Sequence, residues 1–309
     1  MNQKTEKPVG VLFNLPGHSM GDLKVAVLLH SYCECIATIL CSALSQKNLD
    51  WALQAVARWL RLSGLKLNLA KTEVFCLGRC GPGREIPLPV FDGAPLIAAS
   101  RVKSLGVLLE PSLTMEAQIA ATAKSAFFHL RRAKQLAPFL ERDDLATVIH
   151  ATVTSRLDYC NALYMGLPLC RTQKLQSVQN AAARLLLGLP RWEHIRSGLR
   201  DLHWLPITFR VQYKVLVITF KALYGLGPAY LRDRLSPHVP QRVLRSGSQN
   251  LLVIPGPKEA RLKSTRDQAF SVTAPYCWNQ LPEEVRALRD LGQCRRACKT
   301  ALFRQAYNN

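Results

Sequence analysis

A handful of residues in this chain carry side chains able to do chemistry, and their spacing limits what that chemistry could be. Tyr32-Cys33-Glu34-Cys35, with His30 two residues before, puts one carboxyl and two thiols within four positions. Lys71 stands beside the apolar run Val74–Leu77, a lysine presented next to a strand, and by itself this reads as a solvated side chain. Cys294 and Cys298 lie one helical turn apart, but no histidine follows either one nearby. A structural zinc needs four ligands, so no metal is expected there. His203 is a residue type suited to general-base work, yet no carboxylate or nucleophile accompanies it, and a core or capping histidine is expected. Lys124, Phe128, Arg131 and Gln135 fall on one side of a helical wheel, with Arg132 and Lys134 alongside. A basic face carrying an aromatic ring suits a phosphate backbone with a stacked base. An ordinary solvated face fits the same pattern.

The elements that must position these groups can be read from periodicity. Leu53, Val56, Ala57 and Leu60 follow i, i+3, i+4, i+7, the stripe of an amphipathic helix. Gly64 is placed for a left-handed cap at its end. An alternating run, Leu65-Lys66-Leu67-Asn68, then leads through Lys71-Thr72-Glu73 into a strand at Val74–Leu77. Cys80–Pro89 is a loop rich in glycine and proline. Val90–Ala98 fits a hairpin turning at Asp92-Gly93, and Val102–Leu109 reads as one buried strand closed by Glu110-Pro111. A long helix is expected over Leu113–Leu136, with Met115, Ile119, Ala123, Ala126, Phe127, Leu130 and Ala133 inward.

Asp143 or Asp144 is expected to cap the next helix, which runs to Tyr164 with Leu145, Val148, Ile149, Thr152, Tyr159 and Leu163 facing in. A helix through Leu175–Arg184 stops at Gly188, and a helix at Ile207–Tyr224 is apolar on several sides, as a central helix would be. A short helix fits Pro228–Leu235. Residues 236–268 are polar and basic, with Arg242, Arg245, Lys258, Arg261, Lys263 and Arg266 around a strand at Leu251–Ile254. That composition predicts mobility and a polyanion contact. Trp278 is expected to anchor the helix starting at Pro282, and the last helix, Gln293–Tyr307, carries Arg295, Arg296, Lys299 and Arg304.

Whole-chain numbers agree with a basic partner-binding protein. The 309 residues carry 41 Lys+Arg against 21 Asp+Glu, a net charge of +20. Residues 111–309 hold 29 of the bases and 13 of the acids, so +16 of that charge lies there. Such a surface favours polyanions, nucleic acid first and acidic lipid second. Most of the ten cysteines sit in apolar runs (Cys41, Cys76, Cys160, Cys277), which predicts free thiols in a reducing compartment. Val25–Leu44 is long and apolar enough to span a bilayer, but Glu34 at its centre argues against membrane insertion. Met1–Gly10 shows no cleavable signal pattern.

The segment Gly64-Leu65-Lys66-Leu67-Asn68 followed by Lys71-Thr72-Glu73 resembles the stretch after the catalytic hairpin in reverse transcriptases of non-LTR (LINE-type) retrotransposons, most like the chicken-repeat group. The likeness continues in order. It takes in Leu12-Phe13-Asn14, Val102–Leu109 (the family's primer grip), Arg156–Tyr164, Leu175–Pro190, His203–Tyr224 and Ala274–Pro282. The resemblance implies an α+β, mostly helical fold. Residues 1–110 would be an incomplete palm remnant, 111–235 a helical thumb and connector, and 236–309 a basic linker with C-terminal helices. Lys71 would lie near the phosphates of an incoming nucleotide, and the helix at 113–136 would follow the duplex.

The departure is chemical. In the family a Tyr-Ala-Asp-Asp turn follows a histidine with the spacing of His30 and Tyr32, whereas here Glu34 and Cys35 stand at the two aspartate positions. Without resemblance, Tyr32–Cys35 reads equally as an ordinary buried strand or helix. Two-metal phosphoryl transfer needs carboxylates that clamp magnesium in tight octahedral geometry. A glutamate shifts the oxygen by a methylene, and a thiol is a soft ligand. The resemblance further implies that the fingers, the first palm aspartate and an upstream endonuclease are missing. The expectation is thus a truncated, degenerate reverse transcriptase without RNA-directed DNA polymerase activity, holding no magnesium and no other cofactor. Tyr32, Glu34, Cys35 and Lys71 would be vestigial, and Lys66, Lys71, Lys124, Phe128, Arg131 and Arg132 would bind RNA or DNA. The alternative is an interaction scaffold, or an expressed relic, meeting a protein partner at exposed palm strands. An intracellular location is expected, cytoplasm and nucleus being equally open.

Overall fold

The computed structural model describes residues 12–14, 24–30, 36–42, 46–65, 72–77, 90–91, 94–95, 97–238, 250–256 and 268–308. The chain divides into two compact units, 1–118 and 119–309. The fold is α+β and mostly helical.

Strands dominate the first unit. β1 (Leu12–Asn14), β2 (Lys24–His30), β3 (Ile36–Ser42), β4 (Glu73–Leu77) and β7 (Ile97–Ala98) form one sheet in the order β1-β3-β2-β4-β7. β2 lies antiparallel to both β3 and β4, while β1 pairs parallel with β3 and β7 parallel with β4. Helix α1 (Gln46–Leu62) buries Leu53, Val56, Ala57 and Leu60, the stripe its periodicity predicts. It ends in a Schellman motif: the Gly64 N–H donates to the Arg61 carbonyl and the Leu65 N–H to the Leu60 carbonyl, with Gly64 at φ +71°.

The turn chemistry at 90–109 was half legible. β5 (Val90–Phe91) and β6 (Ala94–Pro95) pair antiparallel with Phe91 opposite Ala94, while the expected turn residues Asp92 and Gly93 lie outside the described residues. Val102–Leu109, however, is two strands rather than one. β8 (Val102–Ser104) and β9 (Val107–Leu109) form a hairpin with Ser104 opposite Val107. Both intervening residues have positive φ, Leu105 at 47° and Gly106 at 81°. That geometry is what a two-residue type I′ turn requires, and Gly106 makes half of it easy. Leu105 hid the turn, because a leucine rarely adopts that conformation.

Helices make up the second unit, which opens within α2 (Glu116–Leu136). The predicted single helix up to Tyr164 is instead a broken one. α3 (Arg142–Ile149) passes into a π-turn at His150–Thr154, then α4 (Ser155–Asp158), and a 3₁₀ turn at Asn161–Tyr164 follows. Its N-cap is Glu141, and Asp143 and Asp144 sit in the first turn, favourable for the helix dipole but not capping. The buried positions are Leu145, Ile149, Val153, Leu157 and Tyr164. A four-residue spacing drifts around a regular α-helix, and the wider π-turn brings it back into line. Cys160 then takes a left-handed φ of 52°, so Tyr159 and Leu163 face outward, against expectation.

α5 (Leu169–Leu187) ends at Gly188 as read, with φ +67° and the Leu189 N–H on the Arg184 carbonyl. Next come α6 (Ile195–Asp201), α7 (Ile207–Leu223) and α8 (Ala229–Arg232). α9 (Phe270–Asn279), α10 (Glu283–Arg286) and α11 (Leu291–Tyr307) complete the described helices. α7 packs against α4, α5, α8, α9 and α11, so the apolar helix is central. Gln176 of α5 accepts from the Ile207 N–H at 2.9 Å, satisfying one of the orphan donors at the start of α7. Arg210 grips Asp158 through two bonds, at 2.9 and 2.5 Å.

Around α7 the core gathers Leu216, Phe220, Leu252, Cys277, Trp278, Cys294, Cys298 and Leu302. The indole N–H of Trp278 donates to the Asn250 carbonyl at 2.9 Å, so the ring fixes residue 250, and it lies with Leu281 in the core cluster against which Val285 of the helix after Pro282 packs. Asn279 binds both backbone groups of Leu252, at 2.9 and 2.8 Å. The expected strand at Leu251–Ile254 is reduced to a single bridge between Leu252 and Pro237. Arg242, Arg245, Lys258, Arg261, Lys263 and Arg266 lie outside the described residues.

Candidate nucleic-acid interface

α2 buries a narrow seam and leaves its basic and phenylalanine side chains outside it. Its buried residues from Ile119 on are Ile119, Ala123, Ala126, Leu130 and Ala133, three of them alanines. A seam of alanines lets a helix lie close to whatever it packs on, and it leaves the bulk of the helix elsewhere. On a wheel of 100° per residue, Lys124, Phe128, Arg131 and Gln135 fall within an arc of roughly 60° opposite that seam. All four are exposed. Between Ala117 and Leu140 the sequence holds Lys124, Arg131, Arg132 and Lys134 and no acid. Among the described residues none of these four cations joins an ion pair.

Phe128 is 48% exposed, and the guanidinium of Arg132 lies over its ring at 5.0 Å from the centroid. The geometry follows from helix stereochemistry, because long side chains lean back toward the N-terminus over the preceding turn. The cation–π contact holds one face of the ring against a charge that can meet a phosphate. His129 meets Phe128 edge-on, with centroids 5.2 Å apart and planes at 89°. Burial first, then the charges of Arg156 and Arg132, keep the His129 pKa below its ordinary value, so near neutrality the ring adds no charge. Arg156 is otherwise engaged, donating to Ser125 Oγ at 3.0 Å and to the Thr152 carbonyl at 2.7 Å. It braces the flank of α2 at Ser125.

One member of this surface escaped the sequence reading. Phe127 was expected in the core stripe, but it is 37% exposed. At i+1 from Ala126 it sits at the border of the seam, and an apolar residue there satisfies the periodicity whether it packs or not. The signal that could have found it is the pair of adjacent phenylalanines, since neighbours 100° apart cannot both occupy a seam made of alanines. The structure thus brings together Lys124, Phe127, Phe128, Arg131 and Arg132.

Of the other expected site residues, Lys66, Lys71, Tyr32, Glu34 and Cys35 lie outside the described residues. What is described is their setting. β2 and β3 pair with His30 opposite Ile36, so residues 31–35 connect an antiparallel hairpin, and Lys71 precedes β4, which pairs with β2. Val25–Leu44 therefore supplies two strands, and no helix among the described residues is long and apolar enough to cross a membrane.

His203 is a cap. It holds φ +54° just past α6, its N–H on the Arg200 carbonyl and the Trp204 N–H on the Leu199 carbonyl, both at 2.9 Å. Cys294 and Cys298 are fully buried with sulfurs 3.7 Å apart, and among the described residues no group of three or more His, Cys, Asp or Glu converges on a metal position. Burial raises the Cys277 thiol to about 12, which leaves it protonated and inert.

Comparison with protein-family models, with curated proteins and with solved structures returns no match to this chain.

Proposed function

We propose that this chain is a retroelement reverse-transcriptase derivative that binds nucleic acid through α2 and does not polymerise. The observation that carries the reading is the outward face of α2, where acid-free positive charge and ordered, exposed aromatic rings share one surface. Cations alone describe many solvated helices. Cations interleaved with exposed phenyl rings match the two chemistries a polynucleotide offers, phosphate and base.

Lineage rests on the ordered motifs from Leu12 to Pro282, and the antiparallel hairpin flanking residues 31–35 is the element on which the family carries its catalytic turn. At the positions that match the family's two aspartates, Glu34 and Cys35 replace two hard, short carboxylates by one longer acid and one soft thiol. Magnesium held by such a pair loses the octahedral geometry on which two-metal phosphoryl transfer depends.

The test pairs two assays on one preparation of residues 1–309. Filter binding to RNA and DNA across a salt series is expected to show affinity falling steeply with salt. The triple change Lys124→Ala, Arg131→Ala, Arg132→Ala should lower the log–log slope by about 2, the share of three phosphate contacts. Binding that ignores salt, or a triple variant that binds like the parent, overturns the reading. Primer extension with magnesium or manganese is expected to yield no product, and templated incorporation would refute the catalytic half.

A further inference from the structure

We infer that the α2 face prefers single-stranded to duplex nucleic acid, with unpaired bases stacking on Phe127 and Phe128. The inference rests on the nucleic-acid reading above and goes further by naming the class of ligand. Inside a duplex the faces of the bases are covered by their neighbours, and a protein meets only phosphates, sugars and base edges. A phenyl ring has no hydrogen bond to offer an edge. It becomes useful when a base is free to lie flat against it, and every base has such a face. A helix meant only to track a duplex would use its outer positions for polar and basic side chains. α2 instead places Phe128 there, 48% exposed, and Phe127 at the border of the buried seam, 37% exposed.

The arrangement is also ordered in advance. Lys124, Phe128 and Arg132 stand at i, i+4 and i+8, a row about 12 Å long at 1.5 Å per residue. Phe127 and Arg131 form a shorter parallel row one residue behind. Each ring therefore has a cation one turn away. Arg132 already covers part of Phe128, and the edge-on His129 further restrains that ring. A strand with flexible sugars can seat a base on the ring and a phosphate on the neighbouring guanidinium together. A duplex cannot present both without unpairing.

The test compares oligo(dT) with a duplex of equal length at about 0.15 M salt, near physiological ionic strength. The parent is expected to bind the single strand about tenfold more tightly. The double change Phe127→Ala, Phe128→Ala should remove that preference, about tenfold in affinity for the strand, while leaving the salt slope in place. Phe128→Tyr should restore it, because a phenol ring stacks as well. A 2-aminopurine in the strand should be quenched by the parent and not by the double variant, a readout that a merely structural role would not move. Equal or tighter duplex binding with a normal salt slope overturns this inference and leaves the nucleic-acid reading intact. Absence of salt-dependent binding to either ligand overturns both.

Discussion

The two aromatic-rich regions of the helical unit use their rings in opposite ways. Around α7 the rings face in: Phe220 is fully buried, and Trp278 is 1% exposed with its indole N–H donated to the Asn250 carbonyl. On α2 the seam is alanine and the rings face out, Phe128 at 48% and Phe127 at 37% exposure. Each of these phenylalanines, between a third and a half exposed, forgoes that fraction of the roughly 1.5–3 kcal/mol that full burial contributes. The same chain shows, a hundred residues on, that it can bury rings and satisfy their polar atoms. An aromatic pair that is exposed, adjacent and set among cations with no acid is therefore better explained by a ligand than by packing.

The contrast can be broken most directly at its buried end. Trp278→Ala removes a fully enclosed ring and strands the carbonyl of Asn250, which Asn279 alone cannot recover because its amide is committed to Leu252. A loss of about 3–5 kcal/mol is expected, measured as a shift in urea midpoint at constant slope. A loss below about 1 kcal/mol would mean that the segment at 250–252 is not held by this ring, and the division between structural and ligand-facing aromatics would fail.

A smaller effect, of opposite sign, tests whether the polar candidates belong with the core. His203 is the residue a sequence reader would nominate as a base, yet it holds φ +54° in the position where helices most often place glycine. Its Nδ1 sits 3.2 Å from the Arg200 carbonyl, and its ring meets Phe303 edge-on. His203→Gly trades those contacts for relief of left-handed strain, which costs a non-glycine residue about 1–2 kcal/mol. A net gain of about 0.5–1 kcal/mol in stability is expected by thermal or urea unfolding. Destabilisation would mean that the imidazole is held for its contacts, and the capping account would fall.

Legibility in this chain follows from how local each determinant is. The stripe Leu53, Val56, Ala57, Leu60 and the caps at Gly64 and Gly188 could be read because each is decided within one or two helical turns. The hairpin at 102–109 could not, since Leu105 takes a turn conformation that its own side chain disfavours and that only pairing across the two strands enforces. A regular helix would turn Tyr159 and Leu163 inward; the π-turn at His150–Thr154 rotates both, and the left-handed Cys160 redirects Leu163 further. At the α2 face the basic residues were legible from their spacing. Phe127 was not, because hydrophobic periodicity cannot tell a ring that packs from one that borders the packing.

The smallest expected change is the one that sharpens the comparison most. If Phe127 and Phe128 serve a ligand, each can be replaced by alanine at a stability cost within about 0.5 kcal/mol, the range of surface substitutions away from special features. The alanine even raises intrinsic helix propensity at each site. Against that stands the contact with Arg132, a cation–π pair worth about 0.5–1 kcal/mol where exposed, so Phe128→Ala should cost slightly more than Phe127→Ala. Measured urea midpoints that barely move, beside single-strand affinity that drops, would separate the two uses of aromatic rings in one molecule. A loss of about 2 kcal/mol or more for either ring, what burial of a phenylalanine contributes, would return α2 to the core and leave its cations as an ordinary solvated face.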